Sequence, residues 1–91
     1  MRESAVVRKD LGIALYSTDR VDDAIVQFSK ALETEPAMPE ALYDLGVALF
    51  KGKDDAAGAL AMWERFVELN PRHPEVDVVK TQIQKLKEKR P

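Results

Sequence analysis

The sequence predicts an all-α protein built as a stack of about five antiparallel helices, and three observations lead to this fold class. The pattern LGIAL at 11–15 returns as LGVAL at 45–49, an offset of 34 residues that is typical of helix-pair repeats. Each copy is followed by an alanine, an aromatic residue and a proline in the same order. These are Ala24, Phe28 and Pro36 after the first copy, and Ala59, Trp63 and Pro71 after the second. Apolar residues also recur at spacings of three and four, which favours amphipathic helices.

Two helices are predicted around the first copy. The first runs from about Ser4, a suitable N-cap residue, to Ser17. The apolar residues expected on its buried face are Val7, Leu11, Ala14 and Leu15. After a short turn, Asp22 and Asp23 fall in the first turn of a second helix, where carboxylates favour the positive end of the helix dipole. This helix must end before Pro36.

Two further helices are predicted around the second copy. Pro39 suits the first position of a third helix because the amide that it lacks has no partner there. That helix continues to Phe50. Asp54 or Asp55 can then cap a fourth helix, which ends ahead of Pro71.

A fifth helix is predicted from Pro74, which repeats the position of Pro39 in the preceding connection. One of its faces is apolar and the other is rich in lysine and glutamine. The apolar residues are Val76, Val79, Ile83 and Leu86. An amphipathic helix of this kind suits the end of a stack, whose last apolar surface would otherwise meet water. We expect Phe66 to pack against this helix near Val79 and Ile83.

Composition limits the classes of function. A chain of 91 residues that is 45% hydrophobic can bury one continuous core, so residues 1–91 are predicted to form a single domain. With 14 basic and 16 acidic residues the formal charge is −2, and such a chain lacks the basic field that nucleic acid requires. The absence of cysteine excludes disulfides and thiolate zinc sites. No signal peptide or membrane-spanning run is apparent, so a soluble protein, cytoplasmic by default, is expected.

The sequence contains no residue pattern that is typical of catalysis or metal binding. His73 is the single histidine, and it stands between two helices with no clustered ligands nearby in sequence. The serines Ser4, Ser17 and Ser29 lie outside any nucleophile pattern. Carboxylate pairs at the predicted helix starts are explained by the helix dipole. The sequence therefore predicts no enzyme, no catalytic residue, no metal and no cofactor.

The repeated residues closely resemble the tetratricopeptide repeat, a helix–turn–helix unit with small residues and an aromatic at set places. The resemblance implies a right-handed α-α superhelix with unit one at 5–38, unit two at 39–73 and a capping helix at 74–89. Gly12 and Gly46 would allow close helix approach. Unit two fits the pattern only with one residue added, which we expect in the turn between Lys51 and Gly58. Arg8 departs from the large apolar residue that the family prefers.

In this family the first helices of successive units line a concave groove that holds partner peptides or helices. The resemblance assigns to that groove nine residues: Val6, Lys9, Ile13, Tyr16, Glu40, Tyr43, Asp44, Val47 and Phe50. Glu75 and Val78 extend it from the fifth helix. Chaperone-binding members grip an acidic tail with a clamp of lysines and asparagines. Only Lys9 fits that clamp, because its other places hold Ile13, Asp44, Glu75 and Val79, so an apolar or basic segment is the expected ligand.

The function expected from the resemblance is a non-catalytic scaffold that binds a peptide or helix of a partner protein in the groove. Nucleic acid and membranes are not expected partners. The alternative is a structural or self-associating module, which includes a fragment of a longer repeat protein and a homo-oligomer. The shared pattern does not separate these two hypotheses.

Overall fold

The computed structural model describes residues 4–88, and these residues form five α-helices with one π-helical turn and no β-strand. The helices are α1 Ala5–Ser17, α2 Val21–Thr34, α3 Pro39–Val47, α4 Ala56–Leu69 and α5 Val76–Glu88, and the π-helical turn Ala48–Gly52 follows α3 directly. The predicted all-α class is confirmed. Lys89, the last residue of the predicted fifth helix, lies outside the described residues.

Three helices begin where local chemistry predicts. Ser4 Oγ accepts a hydrogen bond from the Val7 amide at 3.1 Å, and Asp55 Oδ1 accepts one from the Gly58 amide at 2.8 Å. Pro39 occupies the first turn of α3. Each arrangement satisfies or removes an amide that has no partner within its own helix.

The helices pack in chain order, each against the next: α1 on α2, α2 on α3, α3 on α4 and α4 on α5. Gly12 and Gly46, the glycines of the repeated pattern, lie where α1 contacts α2 and where α3 contacts α4. A β-carbon on Gly12 would lie 2.6 Å from the Phe28 ring, and one on Gly46 would overlap the Trp63 indole. The predicted role of both glycines in close helix approach is thus confirmed.

The outer face of α1 differs from the prediction. Val7 and Leu11 are 53% and 43% exposed, Ala14 is also exposed, and Leu15 is half-buried. The expectation that this face is buried was therefore wrong. The corresponding residues of the second copy are Ala41 and Leu45 on α3 and Ala48 in the π-helical turn, and all three are buried against the α2 side. The reason is position in the stack, since α3 has a helix pair before it and α1, among residues 4–88, does not.

The residue added to unit two is associated with the π-helical turn at the end of α3. Arg20 N donates to Leu15 O at 2.8 Å, whereas the equivalent bond in the second copy runs from Asp55 N to Leu49 O, also at 2.8 Å. The second loop thus spans one residue more, and the π-helical turn contains the extra residue. This turn, Ala48–Gly52, overlaps the predicted range of Lys51 to Gly58 at Lys51 and Gly52. A π-helical turn absorbs one residue while the helix continues.

After the π-helical turn the two copies coincide again. Asp19 and Asp54 both adopt positive φ, 65° and 54°, in the tight turns that lead into α2 and α4. Aspartate tolerates this conformation better than most residues. Lys53 Nζ also lies 2.8 Å from Asp22 Oδ1, which ties the second turn to the start of α2.

The fifth helix begins at Val76, two residues later than predicted. His73 explains the delay, because its Nδ1 accepts a hydrogen bond from the Glu75 amide at 3.0 Å and its carbonyl accepts one from the Val76 amide. The corresponding residue in the first connection, Met38, has no side-chain acceptor. The packing prediction for this helix is confirmed: Phe66 is buried in one cluster with Val79, Ile83 and Leu86.

Candidate partner-binding groove

The side of the stack that α1, α3 and the start of α5 share contains two cavities. The α3–α5 cavity has a volume of about 410 Å³. It is lined by Pro39, Glu40, Tyr43, Asp44, Phe66, His73, Glu75, Val78 and Val79. The α1–α3 cavity has a volume of about 330 Å³. It is lined by Ile13, Tyr16, Ser17, Phe28, Asp44 and Val47. We call the surface that joins the two cavities the groove.

Asp44 is the residue that both cavities share. Its side chain is half-buried, and burial raises the pKa of its carboxyl above the ordinary value. The charge of Lys9 opposes this rise and the charge of Glu40 adds to it. Within residues 4–88 no lysine or arginine forms an ion pair with Asp44. A carboxylate that has lost hydration without gaining a direct partner disfavours its own charged form.

Lys9 stands beside the groove rather than in either cavity. Its Nζ lies 2.8 Å from Asp10 Oδ1. The hydrogen bond with Asp10 raises the pKa of Lys9, and the charges of Glu40 and Asp44 act in the same direction. Lys9 therefore remains cationic and offsets part of the negative charge at one edge of the groove.

Aromatic packing holds the wall of the α3–α5 cavity in place. The Tyr43 ring stacks on Trp63 with centroids 5.9 Å apart and planes 22° apart. Trp63 Nε1 donates a hydrogen bond to the Tyr43 carbonyl at 3.1 Å. Phe66 and His73 meet edge to face at 5.0 Å. Offset-stacked and edge-to-face geometries are the favoured ones for aromatic pairs, so the cavity has a preformed aromatic wall.

The structure brings six of the nine predicted groove residues into the two cavities. These are Ile13, Tyr16, Glu40, Tyr43, Asp44 and Val47, and Glu75 and Val78 join them as the extension from α5. Three others lie elsewhere. Val6 is exposed on α1, Lys9 is beside the groove, and Phe50 packs edge to face on Trp63 at 6.4 Å.

The displacement of Phe50 follows from the π-helical turn. Tyr16, its counterpart in the first copy, lies on a regular helix and lines the α1–α3 cavity. Phe50 belongs to the wider π-helical turn, which changes the direction of its side chain toward the core cluster around Trp63. Phe50 therefore lines neither cavity, and its part in partner binding stays a prediction.

Several cavity residues were not predicted to line the groove. They are Pro39, Phe66, His73 and Val79 in the α3–α5 cavity, and Ser17 and Phe28 in the α1–α3 cavity. His73 could have been found, because it occupies the place of Met38 in the repeated connection. Phe28 is on α2 and Phe66 is on α4, the second helix of each unit. Both lie behind the helices α1 and α3, which were expected to line the groove.

A comparison with protein families relates this helix-pair stack to a known repeat. A family profile described as TPR repeat matches residues 12–52, from within α1 to the end of the π-helical turn. Over these residues the chain is similar to the tetratricopeptide repeat family. Its all-α helix-pair stack agrees with the α-α superhelix of that family, and tetratricopeptide repeats generally mediate protein–protein interaction. No curated protein matches the chain.

Among residues 4–88, no helix combines the length and apolar character needed to cross a membrane. Within the same residues, no three histidine, cysteine, aspartate or glutamate side chains are grouped so that they could hold a metal ion.

Proposed function

We propose that this chain is a non-catalytic interaction module that binds a peptide or helical segment of a partner protein along the groove. The observation that carries the proposal is the continuity of the two cavities through Asp44. Preformed concave sites with apolar walls and a few polar groups are the usual form of binding sites. Ile13 and Val78 leave 40% and 49% of their surface exposed in these cavities, so a ligand would remove apolar surface from water on both sides of Asp44.

The stacked arrangement also supports the proposal energetically. Tyr43 is held by Trp63, and Val47 and Tyr43 pack on the core clusters. A groove wall that is ordered before binding loses little conformational entropy when a ligand docks.

The test is selection of peptides from a random display library, followed by amide NMR titration of the protein with the best peptide. We expect saturable shifts in the groove segments of α1 and α3, centred on Ile13, Tyr16, Tyr43 and Val47. The exposed face of α2, around Glu33, should not change. Failure to enrich any peptide, or shifts restricted to the lysine-rich face of α5, would contradict groove binding.

A second candidate is self-association, and the exposed outer face of α1 favours it. Val7 and Leu11 lie one helical turn apart on that face and expose about half of their surface. Helices that are apolar on more than one side usually have a second neighbour. The neighbour would be the α1 of another copy, in a two-fold arrangement that pairs the same face with itself.

Light scattering across a concentration series tests this alternative. If α1 pairs with α1, the apparent mass rises toward that of a dimer, and Leu11→Ser abolishes the rise. Val78→Ser serves as the matched control because it removes similar exposed apolar surface from the groove. A mass that stays monomeric at all concentrations removes this candidate, and a dimer that survives Leu11→Ser places the contact elsewhere.

A further inference from the structure

The α3–α5 cavity has an unusual composition for a groove that binds peptides. Three of its nine lining residues are acidic, namely Glu40, Asp44 and Glu75, and none is lysine or arginine. The carboxylates come from two separate parts of the chain, with Glu40 and Asp44 on α3 and Glu75 just before α5. Folding therefore gathers negative charge around one concave space.

The rest of the cavity wall is aromatic and apolar. Tyr43 and His73 present rings, and Val78 exposes about half of its surface. Aromatic faces attract cations electrostatically, while an aliphatic side-chain stem gains from contact with apolar surface. Carboxylates and aromatic rings around a single cavity together match a long side chain that ends in a cation.

We propose that the α3–α5 cavity binds an arginine side chain of the partner segment. This inference rests on the proposed groove function and names the chemistry of the residue that enters one part of the groove. A guanidinium group is planar, donates to carboxylates in a fork and stacks on aromatic faces. Asp44 and Glu75 would accept its hydrogen bonds, and Tyr43 would provide the stacking surface.

Asp44 supplies a separate reason to expect a cationic ligand. Burial disfavours its charged form, and no lysine or arginine of residues 4–88 forms an ion pair with it. Because its folded pKa is raised, charging Asp44 opposes folding as the pH rises above the ordinary carboxylate value. A residue that lowers stability in a cavity is a frequent mark of function. An arriving guanidinium would replace the hydration that Asp44 has lost.

The distribution of charge along the groove favours one orientation of the bound segment. Lys9, on α1, is close enough to Glu40 and Asp44 for their charges to raise its pKa. Glu75, at the α5 end of the cavity, is not among the charges that act on Lys9 or Asp44. Cations of the ligand are therefore repelled from one edge and attracted to the α3–α5 cavity. The apolar part of the segment would occupy the α1–α3 cavity beside Ile13 and Val47.

Peptide-library selection with the wild-type chain and with Asp44→Asn and Glu75→Gln tests this proposal. We expect wild-type peptides to share an arginine at one position next to apolar residues, and this preference to disappear with either variant. Glu33→Gln, on the exposed side of α2, makes the same chemical change outside the groove and should leave the preference intact. Peptides that bind the groove without a basic residue would overturn the inference while leaving groove binding in place. If no peptide is enriched, both proposals fail.

Fluorescence anisotropy with the best arginine peptide makes the test quantitative. Replacing that arginine by glutamine should weaken binding by about tenfold or more, the usual effect of removing a charge-assisted hydrogen bond. Lysine at the same position should bind between the two. In the Asp44→Asn variant, arginine and glutamine peptides should bind almost equally. Thermal melting should show that Asp44→Asn is at least as stable as wild type, which separates lost recognition from lost folding.

An undiminished preference for arginine in both variants would also contradict the inference. Such a result would assign the preference to other carboxylates of the chain. Amide shifts of Tyr43, Asp44 and Glu75 on adding the arginine peptide, absent with the glutamine peptide, would locate the side chain in the α3–α5 cavity.

Discussion

Replacing Leu45 by alanine is expected to lower the free energy of unfolding by about 2–4 kcal/mol, whereas Leu11→Ala should cost less than about 1 kcal/mol. The two leucines occupy the same place in the repeated pattern. Leu45 is 6% exposed and packs with Ala24, Phe28 and Ala48, whereas Leu11 is 43% exposed. Removing a buried side chain leaves a cavity, and removing a half-exposed one does not.

Urea denaturation, followed by the fluorescence of the single tryptophan Trp63, measures both changes. Because alanine is the better helix former at either position, propensity differences cancel between the two variants. Equal losses at both sites would show that the outer face of α1 is covered in solution, and a concentration-dependent midpoint would then assign the cover to another copy of the chain.

Replacing Gly46 by alanine is expected to destabilise the fold by about 2–3 kcal/mol, through overpacking. The added β-carbon would overlap the Trp63 indole, which is itself held by its hydrogen bond to the Tyr43 carbonyl. Alanine otherwise favours a helix over glycine by about 1 kcal/mol, so the measured loss understates the steric conflict. For a domain of this size the melting temperature should fall by roughly 10 °C or more.

A double-mutant cycle identifies the cause of that loss. Trp63→Leu removes the indole ring whose Nε1 and Cδ1 the new β-carbon would meet, so Gly46→Ala should be less costly in the Trp63→Leu background than in wild type. Circular dichroism melting curves of the four proteins provide the coupling energy. Purely additive effects would show that Trp63 is not the group that the new β-carbon meets.

The local signals in the sequence were sufficient for most of the helices. Ser4, Pro39 and Asp55 mark helix starts by chemistry that operates within a few residues, and the structure confirms all three. The two glycines and the apolar face of α5 were likewise predictable, because helix periodicity determines which side chains share a face. The family pattern also predicted six residues that line the two cavities.

Other features could not be predicted because they depend on neighbours that are distant in the chain. The start of α5 is an exception, because there the Glu75 amide donates a hydrogen bond to His73 Nδ1 only two residues away, and the comparison with Met38 alone does not show this bond. The extra residue of unit two could have entered at several points with the same sequence pattern. In the structure it lies in the π-helical turn, where Phe50 packs edge to face on Trp63 and lines neither cavity.

By itself the sequence determined a helix-pair repeat, its helix starts and the small residues at its closest contacts, because these follow from short-range spacing and backbone chemistry. Only the tertiary structure decided that Leu45 is buried while Leu11 is exposed, since burial depends on whether another helix lies alongside. The tertiary structure also places Asp44 between the two cavities and brings Glu75 into the α3–α5 cavity beside it. The stability of this chain thus resides in the repeated residues, whereas the character of its groove comes from charges that folding brings together and leaves partly dehydrated.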